Sequence, residues 1–157
     1  MMNQQQKQFK ILLIGDSCID KTYYGRVDRL SPEAPIPVLD YSYNRVDYGM
    51  TYNVYNNFIN LGFNKSNIIL DTSTYEVKKR YVDIKSKQQL LRVDSPYDDD
   101  SRISIIARIN KLKTQITRDK KIDAIVISDY DKGHVTYELV EELKNNYIGP
   151  IFIDTKK

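Results

Sequence analysis

The sequence predicts an α/β protein, a sheet with helices packed on it and an added layer of exposed strands. Three observations carry this. Short continuous apolar runs at 9–14 "FKILLI", 123–128 "DAIVIS" and 150–154 "PIFID" suit strands covered on both faces. Segments of helical spacing lie between them, at 50–61, 101–113 and 136–146. Segments 36–43 and 77–93 alternate in polarity instead, as strands with one face in water do.

Each element has its own signal. The run at 9–14 is too short for a helix and ends at Gly15. A proline-punctuated extended stretch follows, and then "IPVLDYSY" over 36–43 puts Leu39, Tyr41 and Tyr43 on one face. Met50, Val54, Phe58 and Leu61 recur at helical spacing, and Gly62 is placed to cap that helix. "SNIIL" at 66–70 reads as a short strand. Segments 77–84 and 88–93 flank "KSK" as a hairpin would. Asp98–Asp100 precede the helix at 101–113, where carboxylates suit the positive end of the helix dipole. Strand 123–128, helix 136–146 with Leu139, Val140 and Leu143, and strand 150–154 make one βαβ unit.

Composition narrows the classes. A chain of 157 residues suffices for one domain with a sizeable core. The net charge of +3 is small and mixed in sign, which argues against a clustered basic surface for nucleic acid. No apolar run approaches a membrane span, and "MMNQQQKQFK" lacks the apolar centre of a signal peptide. The single cysteine, Cys18, cannot form an internal disulfide and fits a reducing compartment, so a cytoplasmic setting is expected.

Aspartates stand just past three strand ends. Asp16 and Asp20 follow the first apolar run, Ser128 and Asp129 close the second, and Asp154 the third. In open α/β sheets ligands bind beyond the carboxyl ends of strands. Ionised carboxylates accept several hydrogen bonds and can hold neighbouring hydroxyls of a sugar. The same pattern fits strand ends that merely mark where polar residues begin. Lys78 and Arg80 share a face with Val82 and Ile84, which suits a phosphate group or an edge strand protected by its charges. One histidine and one cysteine cannot form a zinc site alone. His134 reads as a solvent-exposed or capping residue.

"GDSCIDKTYYGRVDRLSPEAPIPVLD" (15–40) resembles the opening of the PfkB-type, ribokinase-like carbohydrate kinases. Within them "RLSPEAPIPV" is most similar to the heptose-7-phosphate kinase domain of ADP-heptose synthesis enzymes. "GMTYNVYNNFINLG" (49–62) resembles the family's sugar-binding GG-x-x-N segment, and "KKRYVDIKSKQQLLRVD" (78–94) its lid hairpin. "ISDYDKGHV" (127–135) and "FIDTKK" (152–157) resemble the next two strand-end motifs. The resemblance implies a ribokinase-like, Rossmann-type three-layer sheet, truncated, with a protruding β-lid. It makes residues 1–157 a single domain with lid segments at about 33–48 and 75–94, and it implies a homodimer through the lid. It places Asp20, Gly49 and Asn53 on sugar hydroxyls with Asp16 beside them, Lys78 and Arg80 on the phosphate, and Asp129 and Lys132 at the sheet rim.

Three departures bear on activity. Met50 replaces the second glycine of the GG pair. A short joint, "FNKSNIILDTSTYE", stands where the family has a longer stretch. The ATP site and the GAGD segment, with its anion hole and general base, have no counterpart up to Lys157, and no G-x-x-x-x-G-K-[ST] or G-x-G-x-x-G loop replaces them. The resemblance thus implies a kinase-like protein acting on a heptose phosphate, with ATP and magnesium only if another chain completes the fold. The alternative is a non-catalytic module that binds a sugar phosphate or dimerises. Neither reading includes nucleic acid or membrane as a partner.

Overall fold

The computed structural model describes residues 9–96, 105–118 and 122–157. Asp98–Asp100, the first residues of the helix expected from 101, and most of the N-terminal segment lie outside them. The elements are β1 (Ile11–Leu30), β2 (Pro37–Met50), α1 (Thr51–Asn60), a 3-10 turn (Lys65–Asn67), β3 (Ile68–Asp83), β4 (Gln89–Pro96), α2 (Ile105–Arg118), β5 (Ala124–Asp129), α3 (Tyr137–Asn146) and β6 (Ile151–Thr155). Strand order is β4-β3-β1-β5-β6, with β2 also paired to β1. The chain divides into two compact units. The first holds residues 1–17, 50–73 and 99–157, the second 18–49 and 74–98.

The first unit is built on the apolar runs. β1 pairs in parallel with β5 from Ile11↔Ala124 to Gly15↔Ser128, and β5 with β6 from Ile125↔Ile151 to Asp129↔Thr155. Lys10 N–H donates to an Asp123 carboxylate oxygen at 2.9 Å, and Asp123 N–H returns a bond to the Lys10 carbonyl at 2.8 Å, fixing the start of that register. Side chains alternate across the sheet. Leu12, Ile14, Ile125 and Ile127 face Leu112 and Ile116 of α2 and Leu139 and Leu143 of α3 in one buried cluster. Leu13 and Val126 occupy the opposite face, where Val54 of α1 lies beside Val126. The result is three layers, helices on both faces of a parallel sheet.

Helix ends follow their sequence signals. α1 closes in a Schellman motif: Phe63 N–H reaches the Phe58 carbonyl and Gly62 N–H the Ile59 carbonyl, both at 3.0 Å. Gly62 has φ 92°, a conformation that costs a side chain dearly. Phe58 and Phe63 close the motif edge to face at 5.1 Å. Thr136 caps α3 by accepting the Leu139 N–H at 3.2 Å.

The second unit is made of strands. β3 and β4 pair antiparallel from Glu76↔Pro96 to Val82↔Gln89, with a bulge between Tyr81 and Val82. Asp83 organises the turn. Its carboxylate accepts Ser86 N–H at 2.8 Å and Val27 N–H at 3.2 Å, and the Ser86 bonds pull its pKa down to about 2. Tyr23 stacks on Tyr81 at 5.1 Å and Tyr24 on Tyr43 at 4.8 Å.

Two expectations are corrected. β1 does not stop after the apolar run but continues as strand to Leu30, because its charged and tyrosine-rich half still finds ladder partners. The short strand at 66–70 and the hairpin strand at 77–84 are one continuous strand, β3.

Candidate functional site

The second unit carries a compact charged cluster. Period-two alternation puts Glu76, Lys78 and Arg80 of β3 on one face. Arg80 Nη1 meets Asp20 Oδ1 at 2.5 Å, with both side chains about three-quarters buried. Lys78 Nζ meets Glu76 Oε1 at 2.8 Å. Across the ladder Lys78 faces Asp94 and Arg80 faces Arg92. Arg92 binds Asp94 through two bonds, at 2.7 and 2.6 Å. Cys18, buried, points its sulfur at Asp20 Oδ2 from 3.7 Å.

Gly49 is needed where it stands. A Cβ there would come within 2.5 Å of Asp20 Oδ2 and 2.8 Å of Cys18 Sγ. The missing side chain lets the β2 backbone reach the Asp20 carboxylate.

The electrostatics follow from this packing. Burial, reinforced by the Asp20 charge, raises the Cys18 pKa and keeps the thiol protonated, which disfavours a nucleophilic role. Burial works against the Lys78 charge, but the Glu76 hydrogen bond and the carboxylate charges of Glu76 and Asp20 outweigh it and hold the ammonium above its usual range. The Arg92 hydrogen bond lowers the Asp94 carboxyl.

The first unit holds a different constellation at its strand ends. Asp16 is fully buried, and its carboxylate accepts Tyr130 N–H at 2.7 Å, Lys132 N–H at 3.3 Å and His134 N–H at 2.9 Å. It shapes the loop after β5 through those three backbone bonds. Thr51, also buried, donates from Oγ1 to the Asp16 carbonyl at 2.6 Å and lies 3.3 Å from the Ser128 carbonyl. It ties the start of α1 to two strand ends. Asn53 is exposed in the first turn of α1, and the Lys132 side chain is exposed on the loop.

Asp129 closes β5. Burial opposes its charge, but Asp131 N–H at 2.9 Å, the Thr155 hydroxyl at 2.8 Å and the Lys157 ammonium at 3.5 Å prevail and lower its pKa. Met50, before α1, has φ 58° and ψ −120°, a backbone suited to glycine. A methionine thus holds a backbone conformation that glycine would adopt more readily.

The six remaining expected residues sort by unit. Asp20, Gly49, Lys78 and Arg80 share the cluster of the second unit, while Asn53 and Lys132 belong with Asp16 and Asp129 in the first. Glu76 and Arg92 were not expected. Period-two alternation back from Lys78 would have found Glu76, whereas only the β3–β4 register brings Arg92 to the cluster. His134 corrects an expectation: it is buried, not exposed or capping. Its Nδ1 lies 3.2 Å from Arg108 Nη1, and a guanidinium only donates, so Nδ1 accepts and Nε2–H faces Asp71 Oδ2 at 3.1 Å. Arg108 also donates to the His134 carbonyl. Nothing in the local sequence links these three residues.

Among the described residues no group of three or more His, Cys, Asp or Glu side chains converges to hold a metal ion. Among the same residues no helix is long and apolar enough to cross a membrane.

No family model matches the chain. The Bifunctional protein HldE of Sulfurimonas denitrificans is 33% identical over 159 residues, covering 84% of this chain and 32% of that protein. HldE of Nitratiruptor sp. is 30% identical over 170 residues, covering 94% and 36%. The chain spans about a third of the length of these curated relatives. Among solved structures, a putative phosphofructokinase from Staphylococcus aureus has a TM-score of 0.60 at 9% identity, covering 92% of this chain and 52% of that one. Phosphofructokinase-2 from Escherichia coli in complex with fructose-6-phosphate has a TM-score of 0.56 at 14% identity, covering 95% and 55%. At such identities the likeness concerns the fold. The chain is related in sequence to HldE over most of its own length and has a ribokinase-like fold, shared with these phosphofructokinases.

Proposed function

We propose that the second unit recognises a sugar phosphate, and a heptose phosphate in particular. The observation that carries this is the Asp20–Arg80 pair at 2.5 Å, set against the side-chain-free backbone of Gly49, with Lys78 two residues before Arg80 on the same face of β3. A carboxylate has about four lone-pair sites. Arg80 engages Oδ1, so Asp20 keeps capacity for sugar hydroxyls. A guanidinium has five N–H donors and an ammonium three, so Arg80 and Lys78 retain donors for phosphate oxygens beyond Asp20 and Glu76. The resemblance of "RLSPEAPIPV" (29–38) to the heptose-7-phosphate kinase domain supports heptose as the sugar.

The proposed activity of these residues is binding. The second unit serves as the β-lid of the kinase fold, and its β2 face, with Tyr41 and Tyr43 exposed, forms a homodimer. ATP and magnesium enter this reading only where a further part of the fold supplies their site. A cytoplasmic setting accords with the unpaired thiol of Cys18.

Calorimetric titration with heptose 7-phosphate and with the unphosphorylated heptose tests the proposal. Saturable binding of the phosphorylated sugar, weaker by tenfold or more without its phosphate, is the expected result. Binding of neither overturns the reading, and equal binding of both removes Lys78 and Arg80 from it. A radiolabelled ATP assay completes the test: turnover by the chain alone would contradict a binding-only role.

A further inference from the structure

Two arginines face each other across the β3–β4 ladder. Arg80 is paired with Arg92 in the antiparallel register, so both side chains leave the same face of the strand unit. Like charges placed directly opposite destabilise a sheet. The next pair on that face is complementary, Lys78 against Asp94. The bulge between Tyr81 and Val82 falls one residue past Arg80. Bulges bend a strand and re-aim its side chains. The ladder thus holds two guanidiniums side by side where an acid opposite Arg80 would have stabilised it.

Both guanidiniums are held without being used up. Asp20 Oδ1 accepts one N–H of Arg80 at 2.5 Å. Asp94 accepts from Nε of Arg92 at 2.7 Å and from Nη2 at 2.6 Å. A guanidinium has five N–H donors, so these two bonds leave Arg92 three, with Nη1 outside the Asp94 fork. The Arg92 side chain is 45% exposed, against 28% for Arg80, so its remaining donors are open to a ligand. A phosphate carries about two negative charges and several acceptor oxygens at neutral pH. Arginine forks match those oxygens in pairs. A phosphate shared by the two arginines would turn their mutual repulsion into attraction for a common partner. Asp20, Glu76 and Asp94 belong to the same cluster, and they repel a bare anion. A sugar offers them hydroxyl donors, so the ligand class is a phosphorylated sugar and not free phosphate.

We propose that Arg92 is the phosphate-selecting residue of the second unit, forming with Arg80 a two-arginine clamp on the phosphate of a bound sugar. The inference rests on the sugar-phosphate reading above, which assigns the phosphate to Lys78 and Arg80, and adds to it a residue of β4. The opposed arginines work against folding and in favour of binding. Changing Arg92 should therefore move stability and affinity in opposite directions, as residues kept for function do.

The test titrates heptose 7-phosphate and the unphosphorylated heptose into the wild type, Arg92→Gln and Arg92→Lys by calorimetry, with urea denaturation of each protein alongside. Arg92→Gln should bind the phosphorylated sugar at least tenfold more weakly, and the unphosphorylated sugar within twofold of the wild type. Its denaturation midpoint should equal or exceed that of the wild type. Arg92→Lys keeps the charge but not the fork, and should fall between the two. Wild-type affinity in Arg92→Gln, while the wild type prefers the phosphorylated sugar, overturns the clamp and leaves the sugar-phosphate reading standing. Equal loss for both sugars, or a lowered midpoint, makes Arg92 a structural partner of Asp94 and also overturns the clamp. A wild type that binds neither sugar overturns the reading, and the clamp with it.

Discussion

The first unit places Leu12, Ile14, Ile125, Ile127 and Leu139 beyond the reach of water, whereas among the described residues of the second unit the buried apolar ones are Cys18 and, less completely, Val77. Tyr41, Tyr43, Tyr48, Leu91 and Val93 of the second unit stand exposed. One unit is held by burial at about 25 cal/mol per Å² of apolar surface. The other is held by ladder bonds, stacked tyrosines and paired charges, each worth about 1 kcal/mol or less. One unit is a packed scaffold, and the other a strand unit that carries a face of paired charges and exposed tyrosines.

The largest effect that sharpens this contrast is in the core. Ile127→Ala should cost about 2–5 kcal/mol in urea denaturation, as buried large-to-small changes do. Tyr41→Ser, at a position 58% exposed, should shift the same midpoint by less than about 0.5 kcal/mol in the monomer. It should nonetheless weaken the proposed dimer, measured by sedimentation. Equal costs for the two variants would erase the distinction between the units.

A smaller effect tests the boundary residue Met50. Glycine ordinarily loses to alanine through backbone entropy. At φ 58° and ψ −120° the order should reverse, with Met50→Gly more stable than Met50→Ala by about 1 kcal/mol from relieved strain. Denaturation of the two variants side by side reads this difference free of the lost methionine packing. Alanine equal to or better than glycine would mean the backbone is unstrained there.

The smallest is a pH effect at Asp83. Its folded pKa, about 2, lies below the unfolded carboxylate value of about 3.9. The unfolded state therefore binds the proton first. Asp83 contributes stability above about pH 4 that is lost as pH falls towards 2. Urea midpoints measured from pH 7 to pH 2 should fall more steeply in that window for the wild type than for Asp83→Asn. Parallel curves would show that the turn does not depend on the ionised carboxylate.

The scaffold was readable in the sequence because burial on both faces leaves uninterrupted apolar runs, as at 9–14 and 123–128. Helix ends were readable because Gly62 does its work within a few residues. The far half of β1 was not. Residues 18–30 include charges and tyrosines with no steady alternation, and their strand character comes from pairing with distant residues. The same limit applies to the charged cluster. Lys78 and Arg80 show their shared face by spacing alone, but Arg92 enters through the β3–β4 register. The role of Asp16 in holding the loop at Tyr130, Lys132 and His134 depends on bonds across more than a hundred residues of sequence, which no local pattern encodes.

The central claim is that Asp20 and Arg80 act together on a sugar phosphate. Calorimetric titration of heptose 7-phosphate into the wild type, Asp20→Asn, Arg80→Met and the double variant tests it most directly. Each single change should weaken binding by about 1.5–3 kcal/mol, the range for a lost charged hydrogen bond. The double variant should lose less than the sum of the two, since the pair is in contact. Wild-type affinity in Asp20→Asn and Arg80→Met would contradict the account.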